Sequence, residues 1–277
     1  MYDDVAGSTG GAVTTVSAAA SQGIADLLEG PVQPAVALGS STHTAWFGVG
    51  DDVVILGDGE AVRQPNSVII AGAAASDVIA AAGRDARLGA GGMEVGAHRV
   101  NVVRWWDPHP VLNATASDIV RLFLSAATTL VPPVDADSLS AALVAGDPAA
   151  IIAEAERLIG RGPGLTPTGD DLLTGAFGAY GLIGEALRED GPDAVLTATM
   201  PGIEELLDLT VAFSAVLVRH AMAGRVSVPV AQVLRALVGR TPLDDSVEAL
   251  LRVGSTSGRA LAQGVLVGAE AACAVAK

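Results

Sequence analysis

The tetrapeptide Asp107-Pro108-His109-Pro110 separates two textures of sequence and decides how the chain is read. Proline fixes φ and disfavours the helical region for the residue before it, so this stretch is a rigid hinge. Upstream, short apolar runs at 35–38, 43–49, 53–56, 68–71, 93–95 and 100–106 are separated by Gly, Asp, Asn and Pro. Runs of that length and punctuation read as strands, with Gly50-Asp51-Asp52 and Gly57-Asp58-Gly59 as turns. Residues 13–29 carry Val16, Ala20, Ile24, Leu27 and Leu28 at helical spacing before Gly30-Pro31, which predicts a helix. Residues 76–88 read as a helix or an irregular connection, and 1–12 as disordered. The segment 1–110 is therefore expected to be a β-rich domain, a helix packed on a small, mostly antiparallel sheet or barrel.

Downstream of the hinge the periodicity becomes helical. Helices are expected at 117–130 (capped by Thr115 or Ser117), 138–145 (capped by Asp137), 149–159, 171–188, 193–199, 202–223, 229–238, 244–252 and 257–275. The fold class is α+β, with an all-helical domain over 111–277.

Chemistry concentrates in the loop between two of these helices, Leu158-Ile-Gly-Arg-Gly-Pro-Gly-Leu-Thr-Pro-Thr-Gly-Asp-Asp-Leu-Leu-Thr174. It lacks the lysine of a phosphate-binding Walker loop; the only lysine in the chain is Lys277. One reading is an anion cradle at a helix N-terminus. Backbone N–H groups of Gly162, Gly164 and Gly169 join the hydroxyls of Thr166 and Thr168, and Arg161 supplies charge. Asp170 and Asp171 oppose a bare anion unless Mg²⁺ or arginines compensate, or unless one carboxylate orients a substrate amide. The other reading is a helix cap by Thr168 or Asp170, worth about 1 kcal/mol. Both stay open at this point.

A second polar helix entrance, Gly254-Ser-Thr-Ser-Gly-Arg259, offers the hydroxyls of Ser255, Thr256 and Ser257. Arg259 follows, whose guanidinium fork matches a carboxylate; an ordinary Ser cap with a solvent-facing arginine is the alternative. Four histidines, His43, His98, His109 and His220, show no metal-ligand spacing and read as structural or exposed. Trp105-Trp106 reads as core packing or as a cleft wall at the hinge.

Composition bounds the partners. With 31 acidic residues against 16 basic ones the formal charge is −15, a field that repels nucleic acid and anionic membranes. An anionic metabolite would have to be captured locally, by N–H groups and arginines. Mean hydropathy is +0.47, yet no apolar run reaches the roughly 18 residues of a membrane span. Met1-Tyr-Asp-Asp4 carries acidic residues where an export signal needs basic ones, so a cytoplasmic location is expected. Cys273, the only cysteine, excludes a disulfide within the chain and reads as core.

The octapeptide Gly-Leu-Thr-Pro-Thr-Gly-Asp-Asp at 164–171 resembles the signature of the family of the AllH-type subunit of oxamate carbamoyltransferase. The string Leu251-Arg-Val-Gly-Ser-Thr-Ser-Gly-Arg-Ala-Leu-Ala-Gln-Gly264 is similar to that family's C-terminal glycine- and serine-rich turn, with Ser255 where the usual form has His. The resemblance lies in the C-terminal half. It implies a transferase activity in allantoin catabolism: carbamoyl exchange between phosphate and oxamate, run as phosphorolysis of oxalurate. It also implies assembly with two larger subunits; a homo-oligomer is the alternative. On that reading Asp170 and Asp171 are the catalytic or Mg²⁺-holding candidates. The loop with Arg161 holds phosphate, and Arg259 clamps the carboxylate. Two other functions fit the same residues: an enzyme acting on another small carboxylate or amide, Mg²⁺-dependent through the two aspartates, and a non-catalytic anion-binding or assembly subunit.

Overall fold

The computed structural model describes residues 13–83, 86–113, 135–164, 166–187 and 194–276. The disorder expected at 1–12 and the helix expected at 117–130 lie outside these residues. The N-terminal part is an eight-stranded closed barrel: β1 (Thr14–Ser21), β2 (Gln33–Ser40), β3 (Thr44–Val49), β4 (Asp52–Gly57), β5 (Ser67–Ile70), β6 (Ala86–Gly89), β7 (Gly92–Val95) and β8 (His98–Trp106). Around the barrel the order is β1-β5-β4-β3-β2-β6-β7-β8, and β8 closes on β1. The β1/β8 and β4/β5 pairs are parallel and the other six antiparallel. Inward residues such as Phe47, Leu56, Ile70, Leu88, Met93 and Val100 fill the interior, as a small barrel requires. Closure leaves no free sheet edge.

One expectation fails here. Residues 13–29 are not a helix: 14–21 form β1, followed by a 3-10 turn at Gln22–Ile24 and a five-residue helix α1 (Ala25–Glu29). Val16, Ala18 and Ala20 alternate inward with period two while Thr15 and Ser17 face out, and Thr14 is exposed at the strand end. The alanine-rich composition carries a helical prior, but β1 hydrogen-bonds to a neighbour on each side, and those tertiary pairings override local propensity. The ambiguous 76–88 segment splits into α2 (Ala74–Ala80) and strand β6.

The helical part comprises, among the described residues, α3 (Asp137–Ala145), α4 (Pro148–Leu158), α5 (Thr168–Leu187), α6 (Ala194–Leu206), α7 (Ala212–Met222), α8 (Val228–Leu237), α9 (Leu243–Leu251) and α10 (Ser257–Val275). Asp137 does not cap α3. It is the first helical residue, and its N–H donates to Asp135 Oδ1 at 3.2 Å. The break expected near residue 200 falls later, because α6 runs through Pro201 and ends in a 3-10 turn at Leu207–Leu209. Cys273 is buried in the core.

The long helices α5 and α10 pack with their backbones in near contact. A Cβ added to Gly175 would strike the Leu261 carbonyl, one on Gly264 the Leu172 carbonyl, and one on Gly268 the Ala176 carbonyl. Side chains here would hold the axes apart, so glycine at these positions sets the approach. This packing carries the two polar turns to one place, since each lies at the N-terminal end of one of the two helices. Barrel and helices are joined by backbone bonds, Val226 N–H to the Pro108 carbonyl and Val228 N–H to the Arg63 carbonyl, both 3.0 Å.

Candidate functional site

The loop leaving α4 reverses direction through left-handed glycines, Gly162 at φ 101° and Gly164 at φ 114°, conformations that side-chain-bearing residues rarely adopt. At Gly162 a Cβ would also meet Thr168 Cβ and Oγ1 at 2.8 Å, so the buried Thr168 packs against the loop it follows. Asp170, 1 % exposed, is a fastener: its Oδ1 accepts the Gly160 N–H at 2.8 Å and its Oδ2 accepts the Thr210 hydroxyl. Three chain segments thereby meet at the start of α5.

Asp171 is turned to a different task. It is 5 % exposed and accepts hydroxyl bonds from Thr166, at 3.1 Å, and from Ser257 at the start of α10. Thr166 Oγ1 and Ser257 Oγ are themselves 2.8 Å apart, and Gly164 lies beside Thr256. The two entrances singled out in the sequence therefore form one structure. The group has three contacts among three oxygen-bearing side chains, yet two hydroxyls supply only two protons. With Asp171 ionised, both hydroxyl protons go to the carboxylate and the Thr166–Ser257 contact holds none; a proton on Asp171 completes the set. Burial raises the Asp171 pKa to about 7, the hydroxyl bonds from Ser257 and Thr166 oppose that rise, and Asp170 adds to it.

Thr166, Asp171 and Ser257 form one wall of a cavity of about 140 Å³ where the helices meet the barrel. Arg225 and Ser227 also line it, with Gln64 and Pro65 contributed by the barrel; Phe213, Leu217 and Leu261 give apolar surface. Arg225 Nε is buried with no hydrogen-bond partner among the described residues, and so is Ser227 Oγ. Ser227 stands at the N-cap of α8, where a serine ordinarily bonds a free N–H, but its hydroxyl makes no cap bond. Two residues with unpartnered buried donors thus line the same cavity as a carboxyl that titrates near neutrality. Buried polar groups left unpaired cost free energy, which makes such a cavity a site for an acceptor-rich molecule. Its volume suits about four or five water-sized groups, the scale of a phosphate or a small amide acid.

The other sequence candidates sit around this cavity rather than in it. Arg161, Gly162, Gly164, Ser255 and Arg259 are exposed, and Thr256 is half-buried at the N-cap of α10 without a side-chain cap bond. The Gly169 N–H is taken by the Arg161 carbonyl at 2.9 Å, so it is not a free donor as the cradle reading required. Gly162 and Gly164 N–H groups have no partner among the described residues. At the second turn, Gly258, Arg259 and Ala260 donate their N–H groups to the Val253 and Thr256 carbonyls. Among the described residues, no three His, Cys, Asp or Glu gather at a metal-binding distance.

Residues 158–269 match the family described as oxamate carbamoyltransferase subunit AllH. The resemblance carried by the two motifs is thus borne out over that segment. It spans Thr166, Asp171, Arg225, Ser227 and Ser257, that is, the cavity lining apart from the barrel's Gln64 and Pro65. No curated protein and no solved structure matches the chain. No helix among the described residues is long and apolar enough to cross a membrane.

Sequence reasoning missed Arg225, Ser227 and Gln64 as a set. Arg225 and Ser227 sit where a helix end and a helix cap account for them locally; only tertiary placement leaves both without partners. His220, expected to be structural or exposed, is 6 % exposed with both ring nitrogens buried and unpartnered among the described residues. Of the other histidines, His43 bonds Asp58 at 2.8 Å and His109 bonds Glu185 at 3.0 Å, both at half-exposed positions.

Proposed function

We propose that this chain is a subunit of a carbamoyl-exchanging enzyme, and that the Asp171 cavity holds the anion and carbamoyl group on which the exchange takes place. The observation that carries the reading is the meeting of Asp171, a buried carboxyl titrating near neutrality, with the unpartnered donors Arg225 Nε and Ser227 Oγ in one small cavity. In oxalurate phosphorolysis a phosphate oxygen attacks the carbamoyl carbon, the carbon–nitrogen bond breaks, and the departing amide nitrogen takes a proton. Asp171 in its protonated form supplies that proton and, in the reverse direction, removes it from the attacking amide. Arg225 and Ser227 face the charge developing on the carbamoyl oxygen or the phosphate, where fixed donors in a water-poor site are worth most. A protonated Asp171 also removes the repulsion that an ionised pair would exert on an anion.

Asp170 enters the account as the residue that holds loop and helix together. A hard cation in this cavity would find one carboxylate, Asp171, with the hydroxyls of Thr166 and Ser257. Arg161 and Arg259, at the surface, are assigned to attracting the anion rather than to gripping it. The chain acts within an assembly that includes larger subunits. The test is turnover of the reconstituted assembly with the Asp171→Asn chain: a fall of ~10²–10⁴-fold with assembly intact is expected. Turnover at the parent rate would remove Asp171 from the chemistry.

A further inference from the structure

The outer surface of the barrel is not uniform. On β1, β6 and β7 the outward positions carry Thr15, Ser17, Arg87 and Glu94, the polar or charged side chains that a strand turns to water. On β4 they carry Val53 and Ile55, which are buried, and α7 packs against that strand. On β2 they carry Val36 and Leu38, apolar like those of β4 yet 66 % and 53 % exposed. Their direction follows from the pairing. Ala35 and Phe47 belong to the barrel interior, Val36 lies opposite Gly48, and the Leu38 methyl groups lie 3.4 and 3.6 Å from the place a Cβ on Gly48 would take.

The face continues across β3. A Cβ on Gly39 would meet the Trp46 ring at 3.4 Å, and Trp46 packs edge-to-face on Phe213 of α7 with ring centroids 6.5 Å apart. Val36, Leu38 and Trp46 so form an apolar strip that runs up to the helical part. The strip lies in a stretch without charge: residues 32–50 contain no Asp, Glu, Lys or Arg, in a chain with 31 acidic and 16 basic residues. Exposed apolar side chains with charge kept away are the composition of the centre of a protein–protein interface, where charged residues are depleted.

The same absence of charge selects the partner. A basic partner would be drawn to the acidic residues that give this chain its net charge of −15, whereas a second copy carries the same −15 and can approach only where neither molecule presents charge. We propose that the outward face of β2 and β3 docks a second copy of this chain, with Val36 and Leu38 of one protomer against the same face of its partner about a two-fold axis. Contact of this kind covers the two exposed side chains as α7 covers the outer face of β4. None of Val36, Leu38 and Trp46 lines the Asp171 cavity, so dimerisation and carbamoyl exchange stand or fall separately.

Sedimentation equilibrium of the full chain from about 1 to 100 µM is the test, run beside Leu38→Arg and Val36→Arg proteins whose fold is checked by circular dichroism. The parent is expected to dimerise with a Kd of ~10 µM or tighter, and each variant to weaken that association ~30-fold or more. Because salt screens the repulsion between two chains of charge −15, the parent's affinity is expected to rise from about 0.05 to 0.5 M NaCl. Thiol labelling locates the face. Cys273, the only native cysteine, is buried, so a Val36→Cys protein reports through its new thiol. That thiol is expected to react more slowly when the protein is concentrated than when it is dilute, while the thiol of Thr15→Cys, on the outer face of β1, reacts alike in both. A parent that stays monomeric at about 100 µM would overturn the proposal. So would a dimer that both arginine variants leave at parent affinity, a dimer that salt weakens, or Val36→Cys labelling that does not change with concentration.

Discussion

Replacing Asp171 with Asn removes a titrating group that burial holds at a pKa of about 7 against an ordinary 3.8. A carboxyl whose folded pKa lies above its unfolded value favours the fold fully below the unfolded pKa. That contribution is lost as pH rises toward the folded value. Between about pH 5 and 7 the unfolded chain has already released this proton and the folded protein still keeps it. Two pKa units at about 1.4 kcal/mol each set a ceiling near 3 kcal/mol on the stability lost across that interval, and relaxation around a charge brings the expectation to about 1–3 kcal/mol. Asparagine keeps an acceptor for one hydroxyl and adds a donor, so the fold should survive the change. Urea unfolding followed by circular dichroism from about pH 5 to 8.5 is the assay, run on both proteins because other carboxylates also titrate. The parent should lose stability relative to Asp171→Asn as pH rises, the gap levelling off above about pH 8. Parallel curves would refute the burial argument, and with it the assignment of Asp171 as a proton donor at neutrality.

Four further outcomes follow from the same geometry. An anion entering beside Asp171 should draw a proton onto it, so phosphate affinity should fall as pH rises through about 7; calorimetry in buffers of unlike ionisation enthalpy should register proton uptake. Chelation with EDTA should leave phosphate binding to the chain unchanged, because Asp170 is engaged with Gly160 and Thr210 and only Asp171 remains for a cation. Gly264→Ala should destabilise by about 1–3 kcal/mol or more, read as a drop in Tm, since its Cβ would strike the Leu172 carbonyl and push α5 from α10. The His220 ring should stay neutral in NMR titration down to about pH 4, with protonation appearing only as the protein unfolds, because burial first, then Arg225 and Arg219, hold its pKa down to about 3.

Much of this fold could be read from residues alone because the signals were local. Gly30-Pro31, Gly57-Asp58-Gly59 and the Asp107–Pro110 hinge punctuate the chain by fixing dihedral angles, and the textures on either side follow from side-chain period. The β1 segment misled for a physical reason: the consecutive alanines Ala18, Ala19 and Ala20 fit both periods, and only pairing with β5 and β8 decides between them. The candidate site was legible to the extent that it was contiguous. Thr166, Asp171 and Ser257 lie in two conspicuous turns, and the glycine contacts of α5 with α10 bring those turns together.

What the sequence could not convey is which polar groups end up without partners. Asp170 and Asp171 are neighbours of identical chemistry, yet α5 points one toward Gly160 and Thr210 and the other into the cavity. Arg161 and Arg259, conspicuous in the motifs, stay at the surface. Arg225 and Ser227, unremarkable in sequence, carry buried polar atoms without partners among the described residues.

The central claim is that a small anion is held in the cavity that Asp171, Ser257, Arg225 and Ser227 line together. A crystal structure of the chain soaked with carbamoyl phosphate tests it most directly. The account predicts density in the 140 Å³ cavity within hydrogen-bonding reach of Arg225 Nε, Ser227 Oγ and Asp171. Ligand density at the exposed glycines of the 160–164 loop with Arg161 or Arg259, and none in the cavity, would contradict it.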